Sequence, residues 1–442
     1  MKVFYSSERV SVVLFFLGAI VLGTLLLMLP LSWKSNQAPQ WIEALFTSVS
    51  AICVVGLSIV DVSGLSFFGT TILLVLIQVG GLGIITIYFF YLIIPRSRVS
   101  LHSSGLIREY FVTTVEHKPK HILLYIFIFT LGIELLGAIL LYITLNASGY
   151  EASFYYSLFH SVSAFCNAGF SLNSTSLEGW GVAPLALILL SLLIFAGGIG
   201  FVVIRDLFHS SVSKRNMSLH TKVVLRVSFF LVLAGFLLFA FVELFLYQSP
   251  FAVGETLLNS FFLSVSSRTA GFNYLPIDQL SPVTQMITTV FMFIGGSSAS
   301  SAGGIKTTTF ILFVLFLFHG DGAKNGVKLF NRKISSALLQ KAVRLVIKLF
   351  LLLAVATLIL FITERPDLGG PNHLQLFFEV VSAIGTVGLS TGITTTLTLP
   401  GKLVIIFLMF VGRIGLIIFA LGRAQRKRQV SIEYPEGEVL VG

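Results

Sequence analysis

The sequence predicts an all-α membrane protein built from four parallel repeats, each a membrane span, a short re-entrant helix, a glycine turn and a second span. Three observations carry that prediction. Apolar runs recur along a chain of 442 residues that is 55% hydrophobic and 11% charged. About 20 such residues, at 1.5 Å each, cross ~30 Å of hydrocarbon. Four short segments share one pattern of a small residue, a glycine and Leu or Phe, and Lys and Arg gather in alternate loops.

Composition narrows the class further. A soluble chain carries roughly a quarter charged residues, far above the 11% found here. A formal charge of +10 on a soluble domain would suggest nucleic acid. Here the placement of the charge reads as topology, and no nucleic-acid partner is expected. Cys53 and Cys166 are the only cysteines, which excludes a disulfide framework or a thiolate metal site. The histidines lack metal-ligand spacing, and HExxH, Walker and GxSxG patterns are missing, so no enzyme is expected. Val10–Pro30 follows Lys2 and Arg9 as a signal peptide would. Its apolar stretch is too long for an h-region and no cleavage pattern follows, so it reads as the first retained span.

The repeat pattern organises the rest. The four turns are Cys53-Val54-Val55-Gly56-Leu57, Cys166-Asn167-Ala168-Gly169-Phe170, Arg268-Thr269-Ala270-Gly271-Phe272 and Gly385-Thr386-Val387-Gly388-Leu389. Before each lies a segment too short to span a bilayer: Trp41–Ile52, Ala152–Phe165, Glu255–Ser267 and Leu374–Ile384. A full span precedes each of these: Val10–Pro30, His121–Leu145, Val223–Tyr247 and Val343–Thr363. A second span follows each turn: Phe67–Ile94, Val182–Phe208, Val283–Phe318 and Lys402–Leu421. Each second span holds a cluster of small residues, namely Gly80-Gly81-Leu82-Gly83, Gly197-Gly198-Ile199-Gly200, Gly295-Gly296-Ser297 and Gly412-Arg413-Ile414-Gly415. The repeats run over residues 1–120, 121–222, 223–342 and 343–422, followed by a tail, 423–442. That gives eight spans and four re-entrant pore helices around a pseudo-fourfold axis.

Orientation follows from the cations. Loops after the second spans carry Arg96, Arg98, Arg108, Lys118 and Lys120, then Lys214, Arg215, Lys222 and Arg226, then Lys324, Lys328, Arg332, Lys333, Lys341 and Arg344. The tail adds Arg423, Arg426, Lys427 and Arg428. The opposite loops hold only Lys34, Arg365 and Lys402 against Asp61, Glu151, Glu178, Glu255, Asp278, Glu364 and Asp367. Both termini are therefore expected in the cytoplasm, with all repeats pointing the same way, the parallel case.

Irregular backbone at membrane depth survives only where it lines a water-filled path or is buried in protein. Four such turns converge most simply on one axis. Glycine there permits positive φ, a ring of carbonyls can replace a cation's hydration shell, and the C-terminal ends of the short helices favour positive charge. Glycine-rich segments also serve helix packing, and for the second-span clusters both readings stand. Arg413 sits inside the last span where a charge is costly. It reads as a positive charge in the pore that limits leak, or as half of an ion pair with Glu134 or Glu243. The run Gly295, Gly296, Ser297, Ser298, Ala299, Ser300, Ser301, Ala302, Gly303, Gly304 to Lys306 cannot hold a stiff helix. It reads as a flexible loop across the path, a gate, or as a break that relieves packing. Arg268 either braces the third turn or sits in the outer mouth. Glu134 and Glu243 read as ion-pair partners ahead of ion ligands, and Cys53 and Cys166 as small buried residues ahead of a redox role.

These turns, with Asn167-Ala168-Gly169-Phe170, Thr269-Ala270-Gly271-Phe272, Ala302-Gly303-Gly304-Ile305-Lys306 and Gly412-Arg413-Ile414-Gly415, resemble the Trk/Ktr/HKT superfamily of potassium transporters over essentially the whole chain. A start directly at the first span looks like the Ktr-type membrane subunit. The resemblance implies a potassium-selective filter at Val54, Val55, Gly56, Asn167, Ala168, Gly169, Thr269, Ala270, Gly271, Thr386, Val387 and Gly388, with K⁺ held at those residues as transported ion and no covalent cofactor. It implies a gating loop at Gly295–Lys306, a pore arginine at Arg413 and a cell-membrane location. It also implies a homodimer docked on a cytoplasmic ring of RCK-type regulatory subunits that bind a nucleotide of ATP/ADP or NAD type. Gly56 favours potassium over sodium, although the first turn has Val54 where relatives often carry threonine. A Na⁺-selective or Na⁺-coupled cation transporter of the same fold is one alternative. A secondary transporter of an organic solute is the other, disfavoured by four parallel repeats.

Overall fold

The computed structural model describes residues 4–35, 37–83, 119–213, 216–248, 250–298, 300–319, 326–330, 332–366 and 370–415. The expected basic residues Arg96, Arg98, Arg108, Lys118, Lys214, Arg215, Lys324, Arg423, Arg426, Lys427 and Arg428 lie outside these residues. So do Asp367, Ala299, the far ends of the first and last second spans, and the 423–442 tail.

The chain is mostly helical. The first three helices are α1 (Phe4–Leu27), α2 (Trp41–Ile52) and α3 (Phe67–Leu82). Next come α4 (Pro119–Ala147), α5 (Phe154–Phe165), α6 (Pro184–Ile199) and α7 (Phe201–Ser213). Then α8 (Leu219–Phe241) is prolonged by a π turn over Val242–Leu246, and α9 (Val253–Ser266), α10 (Pro282–Phe293) and α11 (Thr307–His319) follow. A small antiparallel hairpin, β1 (Val327–Leu329) and β2 (Arg332–Ile334), leads to α12 (Ser336–Glu364), α13 (His373–Gly385) and α14 (Leu399–Phe410).

The helix starts are written locally. Ser66, Ser153, Ser218, Ser281 and Thr398 each accept an amide hydrogen bond as N-cap. Gln40 with Glu43 and Asn372 with Gln375 form reciprocal capping boxes. Proline at the first helical position of α6 and the first turn of α14 costs no hydrogen bond there.

Helices pack in triplets: α1, α2 and α3; α4, α5 and α6; α8, α9 and α10; α12, α13 and α14. Each triplet meets the next through its third helix and the neighbour's short helix, α3 on α5, α6 on α9, α10 on α13, and α14 back on α2. The short helices are buried along much of their length, while outer faces expose Leu14, Val21, Phe230, Leu237, Leu358 and Ile362. Such apolar exteriors suit hydrocarbon and would be aggregation-prone in water.

Among the described residues three helices, Ile126–Ala147, Leu219–Leu246 and Ser336–Glu364, are long and apolar enough alone to cross a membrane. The pair Pro184–Ile199 and Phe201–Ser210 forms a fourth candidate, bent by 96°. The sequence reading expected unbroken second spans except in the third repeat. Instead the α-helix stops at each small-residue cluster: α3 ends before Gly83, α6 breaks at Gly200, residues 294–306 are non-helical, and α14 passes into a π turn at Val411–Gly415. Gly200 takes φ +91°, which ends the helix at little cost only for glycine.

Close approach explains the clusters. A Cβ on Gly80 would stand 2.2 Å from Ile52 O, on Gly197 1.8 Å from Phe165 O, and on Gly412 2.3 Å from Ile384 O. In these three repeats the absent side chains let the second span rest on the end of its short helix, the packing reading of these clusters. Gly197→Ala should therefore destabilise the protein by about 1–3 kcal/mol through overpacking. Thermal unfolding in detergent checks this, and an unchanged midpoint would refute the close contact.

Candidate functional site

The short helices end at buried turns with one backbone signature. Val54, Asn167, Thr269 and Thr386 take φ of 54°, 56°, 120° and 52°, and Gly56, Gly169, Gly271 and Gly388 take 95°, 72°, 74° and 95°. The residues between them, Val55, Ala168, Ala270 and Val387, are not among the positive-φ positions. A left-handed conformation at a side-chain-bearing residue costs roughly 1–2 kcal/mol, and such strain gathers at functional sites. A β-branched valine and two threonines bear it here.

Serines hold the turns. Ser50 Oγ accepts from Gly56 N at 3.1 Å and Ser382 Oγ from Gly388 N at 3.0 Å. Ser163 Oγ donates to Phe170 O at 2.8 Å and Ser266 Oγ to Phe272 O. Cys53 and Cys166 are buried and end α2 and α5 as C-caps, without disulfide.

The turns close into a ring. A Cβ on Gly56 would stand 2.5 Å from Ala168 O, on Gly169 2.7 Å from Ala270 O, on Gly271 2.4 Å from Val387 O, and on Gly388 2.0 Å from Val55 O. Each glycine thus faces the next turn in chain order, and the fourth faces the first. All twelve turn residues expected from the sequence are brought together.

The 295–306 stretch runs against this ring. Asn167 Nδ2 donates to Ser301 Oγ at 3.1 Å, and Ser301 Oγ reaches Phe165 O and Gly197 O at 3.1 and 3.2 Å. Ser297 N donates to Gly198 O at 2.8 Å. A Cβ on Gly303 would meet Thr386 Oγ1 at 1.8 Å. Lys306 Nζ donates to Ala302 O, so the loop's own backbone caps its charge. Arg413, buried, donates through Nη1 to Ser301 O and through Nη2 to Gly80 O. It therefore joins the loop to the second helix of the first triplet.

Arg268 is buried and bonds to the Ser228 and Gly295 carbonyls, which lie outside the third turn. The expected ion pairs of Glu134 and Glu243 give way to neutral hydrogen bonds. Glu134 accepts from Gln78 Nε2 at 3.1 Å and from Cys166 Sγ at 3.7 Å. Glu243 Oε1 accepts from Ser281 N at 3.1 Å, and Glu364 likewise from Thr398 N at 3.0 Å. In both cases an acid ending a first helix caps the start of its second helix, satisfying an orphan amide.

Sequence reasoning missed Glu379 and His160. Glu379, fully buried in α13, accepts from Ser390 Oγ and, at 3.0 Å, from Thr394 Oγ1. His160 in α5 pairs with Ser171 Oγ at 3.0 Å. Ser390 and Ser171 both stand two residues beyond a turn glycine, so the helix and the outward strand of each turn are tied from behind. The available signal was a polar residue at that position in every repeat: Ser58, Ser171, Asn273 and Ser390.

Known proteins resemble this chain in sequence and fold. The family model TrkH, described as cation transport protein, matches residues 4–433. The Ktr system potassium uptake protein B of Bacillus subtilis is 36% identical over 446 residues, covering 99% of this chain and 97% of that one. The potassium/sodium uptake protein NtpJ of Enterococcus hirae is 35% identical over 431 residues, covering 96% and 94%. The crystal structure of the potassium transporter TrkH from Vibrio parahaemolyticus matches the fold with a TM-score of 0.74 at 18% identity, over 94% of this chain and 85% of that one. Apolar helices throughout and a family match over nearly its whole length make this a multi-pass membrane protein. The chain belongs to the TrkH family of cation transport proteins.

Proposed function

We propose that this protein takes up potassium ions through the ring of four glycine turns, one pathway per chain. The observation that carries the reading is the closure of the ring together with its alternating φ signs. Alternation turns successive carbonyls of a segment to one side, so four segments present stacked rings of oxygens to a shared axis. Such rings replace a cation's water without full negative charges. Val54, Val55, Gly56, Asn167, Ala168, Gly169, Thr269, Ala270, Gly271, Thr386, Val387 and Gly388 form this filter. The names of the Bacillus and Vibrio relatives, potassium uptake protein and potassium transporter, support the choice of ion.

In this reading the four triplets are the repeats, 1–120, 121–222, 223–342 and 343–422, giving eight spans and four re-entrant helices. The basic loops and both termini face the cytoplasm. The 295–306 loop closes the path beneath the filter, and Arg413 pins it there and places a positive charge that restricts flux. Family likeness adds a homodimer and a cytoplasmic ring of nucleotide-binding regulatory subunits, where the nucleotide sits. No bond-making step is assigned to any residue.

The name potassium/sodium uptake protein of the Enterococcus relative favours a second reading, a path that also admits or couples to Na⁺. Uptake measured in cells lacking their own potassium transporters, with the regulatory partner supplied and Na⁺ as competitor, decides. Restored K⁺ uptake that resists Na⁺ supports the first reading, and strong Na⁺ competition the second. No alkali-cation flux at all would overturn both.

A further inference from the structure

Arg268 is a buried cation that the transport reading leaves without a task. It follows Ser267, the C-cap of α9, and precedes the strained Thr269. Its Nη1 donates to Ser228 O at 3.4 Å, and its Nη2 reaches Ser228 Oγ and Gly295 O at 3.4 Å and Thr307 Oγ1 at 3.2 Å. Among the described residues none of these partners is a carboxylate. A buried charge held by neutral groups alone is costly, so it persists where the geometry it enforces matters.

That geometry is the base of the 295–306 loop. Gly295 and Thr307 are its two ends, and they are already drawn together. Ile294 and Ile305 form a parallel bridge, Gly295 N donates to Ile305 O at 2.9 Å, and Thr307 N donates to Gly296 O at 3.0 Å. Thr307 Oγ1 adds a bond to Gly295 O at 3.1 Å. The loop therefore has a closed neck, and Arg268 bonds both sides of it. Through its own backbone the same residue belongs to the third turn, and through Ser228 it is fixed to α8. Its equivalents in the other repeats are Cys53, Cys166 and Gly385, and only the repeat whose second span is parted by the 295–306 loop carries an arginine there.

We propose that Arg268 is a positioning residue that clamps the neck of this loop to the third filter turn, so that only the tip, residues 297–304, moves when ions pass. The proposal deepens the gating reading and rests on it. It excludes an opening in which α10, the loop and α11 straighten into one helix, because that would pull Gly295 and Thr307 apart.

The test uses the full chain in proteoliposomes with Rb⁺ flux as readout. A double-cysteine variant, Ile294→Cys with Ile305→Cys, allows the neck to be stapled, since paired strands hold Cα atoms within disulfide range. The ratio of oxidised to reduced flux should stay within about twofold in this variant. Arg268→Gln should raise flux at least about fivefold, Arg268→Lys should restore part of the restriction, and the staple should return Arg268→Gln toward the starting rate. Oxidation that abolishes flux without the Arg268 change would overturn the clamp, and this arm does not depend on Arg268→Gln folding. Tip shortening by deletion of Ser298 and Ser300 separates the two ideas. If it raises flux while Arg268→Gln does not, the clamp is wrong and the gate stands. If it leaves flux unchanged, the gating reading fails and the clamp falls with it.

Discussion

Gly388→Ser should abolish potassium selectivity, cutting K⁺ uptake at least about tenfold or letting Na⁺ compete on near-equal terms. Two costs add at this position. The backbone sits at φ +95°, where a side-chain-bearing residue loses about 1–2 kcal/mol. A Cβ would also lie 2.0 Å from Val55 O and 3.0 Å from Val55 C, so the neighbouring turn has to move. Val55 is itself a filter residue in the proposed path, and its carbonyl would be displaced. Since ~1.4 kcal/mol is a factor of ten, a small shift in the ring's fit to a dehydrated ion suffices. Gly392→Ser is the matched control. Gly392 also has positive φ, +89°, yet has open space around it and lies outside the ring. It should cost some stability and leave the K⁺/Na⁺ ratio intact. Equal ion discrimination in wild type and Gly388→Ser, measured as Rb⁺ uptake under Na⁺ competition, would sink the filter assignment.

The sequence displayed much of this arrangement because repetition amplifies weak signals. One Val-Gly or Ala-Gly pair in an apolar chain means little. Four, each preceded by a short helix and followed by a small-residue cluster, define equivalent positions, and Gly56, Gly169, Gly271 and Gly388 are found in one ring. The short helices emerge near their expected bounds, for example Phe154–Phe165 against Ala152–Phe165, and Ser153 and Asn372 cap the starts of two of them. The breaks in the second helices were legible only in the third repeat, where ten small residues run together. At Gly83 and Gly200 the backbone turns to positive φ, three residues after Gly80 and Gly197 meet carbonyls at the ends of α2 and α5, contacts that no hydropathy window contains.

Side-chain roles were less legible for a related reason. Glu134, Glu243 and Glu364 look alike as acids in or beside apolar runs, and an ion pair is the natural guess for a buried charge. Their partners are an amide side chain, a thiol and backbone amides at helix starts, which depend on how helices stack across repeats. Arg268 likewise could not be placed, because its bonds go to residues about forty positions before and after it. Glu379 and His160 stood out by no spacing or motif, since their serine partners Ser390 and Ser171 lie eleven residues on, beyond the turn.

Arg413→Ala should increase potassium flux about tenfold and raise leak when the regulatory partner is absent. Arg413 does two things at once. Its guanidinium bonds Ser301 O on the loop tip and Gly80 O on α3, so it fastens the loop across the ring. It also sets a positive charge where Gly81, Gly198 and Gly296 stand in the other repeats. For an ion passing about 10 Å away at an effective dielectric near 20, that charge opposes entry by ~1.7 kcal/mol, already more than a factor of ten in rate. Arg413→Lys separates the contributions, because lysine keeps the charge and cannot reproduce the planar two-ended fork. Lysine flux near wild type would assign the barrier to charge. Flux near that of Arg413→Ala would assign it to the tie, and would then predict that Ser301, whose hydroxyl joins Asn167, Phe165 and Gly197, holds the closed tip only in partnership with the arginine. Unchanged uptake and leak in Arg413→Ala at equal expression would remove the arginine from the conduction path altogether, since neither a charge beside the ions nor a bond holding the loop can be lost without changing the rate.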